Sequence, residues 1–228
     1  MKKLLVASLV LALLLASSVG VMASSFKMDG MFLFGKSVLA DGEANELDMG
    51  VLANLEAELF NNFLLSARFM KTFAFRIDDE GLAEGESIGQ TIMSIGGGYR
   101  VFSDPTMSAY VGAGFSTVEL GVKGMNPEVS ISGSGYHLAV GASFEVYPKI
   151  TLFGDVSYAP KITNFKVDNI EKVEGSALVG RVGVSYSITE MIGVEAGFVH
   201  SKVGTKEVPD SINAYSSNLI GAGIVINF

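Results

Sequence analysis

The stretch AYSSNLIGAGIVINF, Ala214 to Phe228, decides how the rest of the chain is read. Ile220, Ala222, Ile224, Ile226 and Phe228 take every second position, and Gly221, Gly223, Val225 and Asn227 fill the places between. A period of two marks a β-strand whose two faces meet different surroundings. One face here is bulky and apolar, and the other is mostly small. Phe228 continues the apolar face to the last residue, as expected of a strand that closes a sheet on itself.

The same rhythm recurs upstream in nine further segments, so ten strands are expected. The first is 26–37, with Phe26, Met28, Phe32 and Phe34 on one face. The second, 46–60, sets Leu47, Met49, Val51, Ala53, Leu55, Ala57 and Leu59 against a face rich in Glu and Asp. The third, 63–77, sets Leu65, Ala67, Phe69, Phe73, Phe75 and Ile77 against Ser66, Arg68, Thr72 and Arg76. The others are 88–102, 107–118, 135–147, 150–159, 177–187, 191–202 and 214–228. Each is about long enough to cross a bilayer at a tilt. Short links at Asn61-Asn62, Ser103 to Thr106, Pro148-Lys149 and Thr189-Glu190 alternate with longer polar links at 38–45, 78–87, 119–134, 160–176 and 203–213. Strict alternation gathers the long loops at one end, which is an up-and-down antiparallel arrangement.

Composition narrows the classes. The chain has 228 residues, 24 acids against 16 bases, a net charge of −8 and no cysteine. An acidic chain is a poor match for nucleic acid, which demands clustered positive charge. Without cysteine there are neither disulfides nor thiolate metal sites, and no cofactor is expected. Lys2 and Lys3, the apolar run Leu4 to Ala16 and Val21-Met22-Ala23 read as a secretory signal peptide over 1–23, leaving 24–228 as one domain. Beyond residue 23 no apolar run reaches the roughly 18 residues of a membrane helix, yet mean hydropathy is positive. Only closed barrels span a membrane without such helices.

A soluble ligand-carrying barrel also alternates, with its apolar face inside. The second face distinguishes the two. It is dominated by Gly96, Gly98, Gly112, Gly114, Gly141, Ser143, Gly183, Ser185, Gly221 and Gly223 rather than by solvated Lys, Glu and Thr. Small residues suit a narrow interior. Phe60, Phe63, Phe102, Tyr147, Tyr186 and Phe228 gather at the short-turn side, as an interfacial girdle would. The fold class is therefore all-β: a ten-stranded transmembrane barrel, with eight strands as the alternative.

The alternation through Leu152-Phe153-Gly154-Asp155-Val156-Ser157-Tyr158, Val194-Glu195-Ala196-Gly197-Phe198 and Gly221 to Phe228 resembles the small bacterial outer-membrane β-barrel superfamily. That superfamily includes the OmpA-type transmembrane domain and opacity-type porins. Ile220, Ile224, Ile226 and Phe228 resemble its C-terminal insertion signal. The resemblance implies an outer-membrane location, both termini periplasmic, and long loops outside. It implies outer-membrane lipids and, through the last strand, the barrel-assembly machinery as partners.

Parity points Asp48, Glu56, Glu58, Arg68 and Arg76 into the lumen, and likewise Arg100, Glu145, Asp155, Arg181 and Glu195. With a three-residue loop at Asn61 to Phe63, Glu56 is expected opposite Arg68 and Asp48 opposite Arg76. Asp155, Arg181 and Glu195 are expected at similar heights. Such charges are structural bridges filling the lumen, or else a constriction passing small ions. The leading expectation is a filled barrel with a structural or surface-interaction role; the alternatives are a narrow porin-like channel and an outer-membrane hydrolase. Enzyme signals are weak. His137 points inward with no Ser or Asp partner close in sequence, and His200 adjoins Ser201 near the outer end of the ninth strand. Asp78, Asp79, Glu80, Glu84 and Glu86 read as a solvated loop rather than an ordered metal site. Lys71 falls on the lipid face, where a mid-depth charge costs about 2–4 kcal/mol.

Deleting Phe228 is expected to impair assembly. The measurement is the yield of heat-modifiable barrel in the membrane fraction, and an unchanged yield would count against the insertion signal.

Overall fold

The computed structural model describes residues 25–39, 48–59, 62–73, 87–123, 129–167, 170–205 and 214–228. The proposed signal peptide, Phe60, Arg76 and the acidic segment 78–86 lie outside them. Ten strands form one closed antiparallel barrel in which every strand pairs with its neighbours in sequence, and the first pairs with the last. They are β1 (Ser25–Leu39), β2 (Asp48–Glu58), β3 (Phe63–Phe73), β4 (Ser87–Ser103), β5 (Met107–Lys123), β6 (Val129–Tyr147), β7 (Ile150–Val167), β8 (Ile170–Ser187), β9 (Ile192–Thr205) and β10 (Ala214–Asn227). The eight-stranded alternative is thereby set aside.

Closure fixes the dimensions. Direct partners lead from Ser25 through Glu58, Leu64, Gly98, Gly112, Ala139, Ser157, Val179, Ser201 and Ser217 to Ser37. One circuit thus returns to β1 twelve residues farther on. For ten strands this stagger means a tilt of about 40° and a backbone radius of about 10 Å. At the seam, the amides of Phe26 and Phe228 each donate to the other's carbonyl, at 3.1 and 2.8 Å, and their rings lie 5.8 Å apart.

The faces divide as parity expects. Phe32, Ile95, Leu138, Val182, Ile220 and Ile224 are exposed on the outside, whereas Met31, Leu33, Leu52, Met70 and Leu219 are buried inside. On β6, Tyr136 (80% exposed) and Tyr147 (68%) bracket the apolar band. Their separation along a tilted strand is about 28 Å of barrel height, close to a hydrocarbon core.

Two expectations need correction. The β2–β3 register is displaced by two residues: Arg68 faces Asn54, and Glu56 faces Ser66. Leu59 N donates to Phe63 O at 2.7 Å, so pairing reaches Leu59 and Phe63, and Asn62 takes the left-handed conformation at φ 65°. A three-residue hairpin loop needs a left-handed residue at its end. A loop at 61–63 would have put Phe63 there, where Asn is far better tolerated. The even displacement keeps each side chain on its expected face.

The links 119–134 and 160–176 were expected to be loops, but most of both is strand. Pairing continues to Val122↔Val129 and Val167↔Ile170. The outer face turns polar at Thr117 and Glu119 while Val118 and Leu120 remain buried inside. The ladder therefore continues past the point where its outer face stops being apolar.

At the other end, Asp104 Oδ1 accepts from the Thr106 amide (2.7 Å), its hydroxyl (2.9 Å) and the Met107 amide (2.7 Å). These bonds hold the Asp104 carboxyl below its ordinary value. A depressed folded-state value contributes stability above the unfolded value, lost as pH falls through the folded one. Asp104→Ala is expected to lower the urea midpoint of the refolded protein at neutral pH and to lose that effect in acid. An equal decrement at both pH values would refute the turn's dependence on the carboxylate.

Candidate functional site in the lumen

A backbone radius of about 10 Å leaves room for little more than one layer of inward side chains, so their sizes and charges decide what the lumen can do. Near the short turns, Arg100 Nη1 donates to Glu58 Oε2 at 2.6 Å. Glu145 Oε1 accepts from the Lys149 amide at 3.3 Å, where Lys149 has φ 72°.

Above this end lies the main ionic cluster. Asp155 and Arg181 are direct partners on β7 and β8, and Arg181 Nε donates to Asp155 Oδ2 at 2.7 Å. Arg68 Nη2 crosses the lumen from β3 to Asp155 Oδ1. Arg181 Nη1 donates to Asp29 Oδ1 at 2.7 Å, and Glu195 Oε1 lies 3.9 Å from the same nitrogen. Asn54 joins the two sides: its Nδ2 donates to Asp29 Oδ1 at 2.6 Å, and its Oδ1 accepts from Arg68 Nε at 2.7 Å. The Arg181 guanidinium also stacks over the Phe153 ring, 4.9 Å from its centroid. Two guanidiniums thus hydrogen-bond the carboxylates of Asp29 and Asp155, on β1 and β7, and Glu195 on β9 lies at the edge of ion-pair range of Arg181. Arg suits this position because its planar fork can serve several acceptors at once.

Glycine beside the cluster makes space. A Cβ on Gly141 would sit 2.4 Å from the Tyr110 ring, and one on Gly114 would sit 2.7 Å from His137 Cε1. Both rings can therefore fold into the barrel. His137 Nδ1 and Ser116 Oγ are 2.8 Å apart. Between Arg68, Tyr110, His137 and Asp155 a cavity of ≈ 30 Å³ remains, room for about two waters.

The next layer toward the long-loop end is apolar. Met31, Leu33, Leu52, Met70, Ile92, Val179, Val199 and Leu219 are each at most 2% exposed and form one cluster. A small polar network lies beyond it. Tyr215 bonds Ser37 and Thr72 at 2.9 and 3.2 Å, and Ser201 bonds Gln90 and Ser217 at 3.0 and 2.7 Å.

The sequence-expected residues therefore fall in several places. Arg68, Asp155, Arg181 and Glu195 meet in one cluster; Glu58 and Arg100 pair below it. Glu56 lines the cavity. Asp48 is buried at the long-loop end, apart from the cluster, and Arg76 lies outside the described residues. Sequence reading missed Lys27, Asp29, Asn54 and Tyr110 as members of the site. Parity would have found Lys27 and Asp29, which alternate with the outward Phe26 and Met28. Lys27 Nζ lies 6.0 Å from the centroid of the Phe153 ring, which also carries the Arg181 guanidinium.

A family model described as an outer membrane protein beta-barrel domain matches residues 9–172. The chain belongs to this outer-membrane β-barrel family. Its location is accordingly the bacterial outer membrane. No curated protein matches the chain. Among solved structures it is similar to Neisserial surface protein A, at 14% identity and TM-score 0.47, covering 90% of this chain and 99% of that one. It is similar also to Ail, the attachment invasion locus protein of Yersinia pestis, at 14% identity and TM-score 0.40, covering 90% and 100%. A loop-deletion mutant of OmpT from Vibrio cholerae gives 14% identity and TM-score 0.34, with 89% of this chain on 62% of that one.

The cluster makes a graded stability prediction. Removing one partner of a buried ion pair costs about 3–5 kcal/mol. Arg181→Met is expected to lose about that much, because Asp29 and Asp155 share that guanidinium, and Arg68→Met less, because Asp155 keeps Arg181. Urea unfolding in detergent micelles measures both, and a larger loss for Arg68→Met would overturn the assignment of Arg181 as the hub.

Proposed function

We propose that this protein is a closed, non-conducting outer-membrane barrel whose role is structural or surface-interacting and is exercised at its long-loop end. One observation carries this reading: the lumen is occupied by an ionic cluster and then, in series, by a layer of packed Met, Leu, Ile and Val. An ion crossing it would have to break the Arg–carboxylate bonds and then enter an apolar layer without its hydration shell, which is strongly unfavourable. The extended β5–β6 and β7–β8 hairpins rise beyond the apolar band and offer a surface for contact. Lys161 Nζ and Glu174 Oε1, 2.5 Å apart and exposed, tie the second of these together. In this reading the short turns and both termini are periplasmic, residues 1–23 are an export signal, and the last strand engages the assembly machinery.

Catalysis is not part of the proposal. Ser201 is buried in the lumen while its neighbour His200 lies on the outer face, so the two cannot act together. His137, bonded to Ser116, lines a cavity of ≈ 30 Å³, room for about two waters.

Planar-bilayer recording of the refolded protein tests the reading. No discrete current steps are expected. Reproducible steps that persist across preparations would replace this proposal with the narrow-channel alternative.

A further inference from the structure

The outer face of β9, β10 and β1 carries two stacked rows of opposite character. Phe34, Ile220 and Phe198 are direct partners across the three strands, all exposed and apolar. One position nearer the long-loop end on the same face, Lys36, Asn218 and His200 are direct partners. Lys202, opposite Ser216, stands next above His200. With strands about 4.8 Å apart and residues i and i+2 about 6.6 Å apart, these polar groups share a patch roughly 10 Å across. His200 Nδ1 and Asn218 Oδ1 are 2.9 Å apart. With Nδ1 as the donor, the Asn218 amide oxygen turns toward β9, and its NH₂ group turns toward Lys36.

Among the described residues, the outward charges on these three strands are Lys36 and Lys202, both exposed, and both are cations. The opposite side of the barrel differs. There the corresponding row, Lys71, Thr91 and Glu119, contains both signs. The basic patch also sits directly above an apolar surface, where hydrocarbon chains end and headgroups begin.

We infer that Lys36, Lys202 and Asn218 form a binding site for the phosphate of a membrane lipid whose acyl chain lies along Phe34, Ile220 and Phe198. Two ammonium groups and an amide NH₂ supply donors to phosphate oxygens, and the apolar row below supplies the chain contact. An anion lacking acyl chains would use only half of this surface. A lipid satisfies both rows at the depth where the barrel holds them.

Native mass spectrometry of the refolded protein tests the site. The protein is taken from bilayers of phosphatidylcholine with a minority of phosphatidylglycerol, whose phosphate is not covered by a choline. Retained lipid is expected to be enriched in phosphatidylglycerol. Lys36→Gln and Lys202→Gln are each expected to reduce that enrichment about fivefold, the usual effect of one lysine at an anionic surface. Lys149→Gln, at the opposite end of the barrel, serves as control and should leave it unchanged. Heat-modifiable mobility establishes that each variant is folded. No enrichment in the parent protein, or enrichment that survives the double substitution, overturns the proposal. Displacement of the retained lipid by excess inorganic phosphate would identify a small-anion site and overturn the lipid assignment; retention supports it.

Discussion

Backbone closure is the constraint from which the rest follows. Hydrocarbon offers no hydrogen-bond partner, so each peptide group in the band must find one in a neighbouring strand, and the first strand must meet the last. The twelve-residue stagger that closes the ladder also sets the tilt, and the tilt with the strand number sets the radius. That radius makes the inner face a packing problem as much as an electrostatic one. Glycine at Gly141 and Gly114 admits Tyr110 and His137, while Leu, Met and Val fill the level above. Inner-face composition is thus a consequence of barrel geometry, and it could be recognised before any register was known.

The two kinds of filling do different work. An apolar layer excludes water through area and shape, with little demand on orientation. The ionic layer is far more demanding, because each charge withdrawn from water must be repaid by a partner in place. Arg181 meets that demand for Asp29 and Asp155, which it hydrogen-bonds, and a phenylalanine face supports the cation. Arg68 spans the barrel to reach Asp155, and Asn54 joins Asp29 to Arg68, so β1, β2, β3, β7 and β8 are bound through the lumen as well as around the wall. A wall held only by its ladder could ovalise; bonds across the interior resist that.

Which face each strand turns inward was legible because parity survives errors of position. The displaced β2–β3 register is instructive. An even slip leaves Leu59, Leu65 and Phe69 on the outside and Glu56 and Arg68 within, so the face assignments held while the pairing did not. The deciding quantity was a single dihedral angle, the positive φ of Asn62, which competes with the attraction of opposite charges and wins. Partners across the lumen were hidden for a different reason. Arg68 and Asp155 are 87 positions apart and meet only through the curvature of the closed wall. Asp29 was readable by alternation but hard to weigh, because its neighbours Met28 and Gly30 say nothing of charge. Alternation alone does not show the extended β5–β6 and β7–β8 hairpins, because their outer face turns polar before their pairing ends. That polarity marks the end of the apolar band, whereas a strand ends where its hydrogen bonds do.

Lys71 completes that distinction. On alternation alone it is a charge set among Phe69, Phe73 and the outward face of β2. Pairing is continuous through it on both sides, Val51↔Lys71 and Lys71↔Thr91, so no bulge turns it inward. Its ammonium lies 5.4 Å from the Phe73 ring centroid, and its row continues through Thr91 to Glu119. The cost of a lysine on the lipid face falls from about 2–4 kcal/mol at mid-depth to about 0–1 near the interface. On one side the row of Lys71 runs through Val51 to Phe32 and on the other through Thr91 to Glu119, so the lysine stands where the outer face passes from apolar to polar, against an aromatic ring. The residue that broke the alternation therefore stands in the margin of the apolar band, between outward Phe69 and Phe73 on its own strand and Thr91 on the next, as Lys36, Asn218 and His200 stand just beyond the apolar row of β9, β10 and β1.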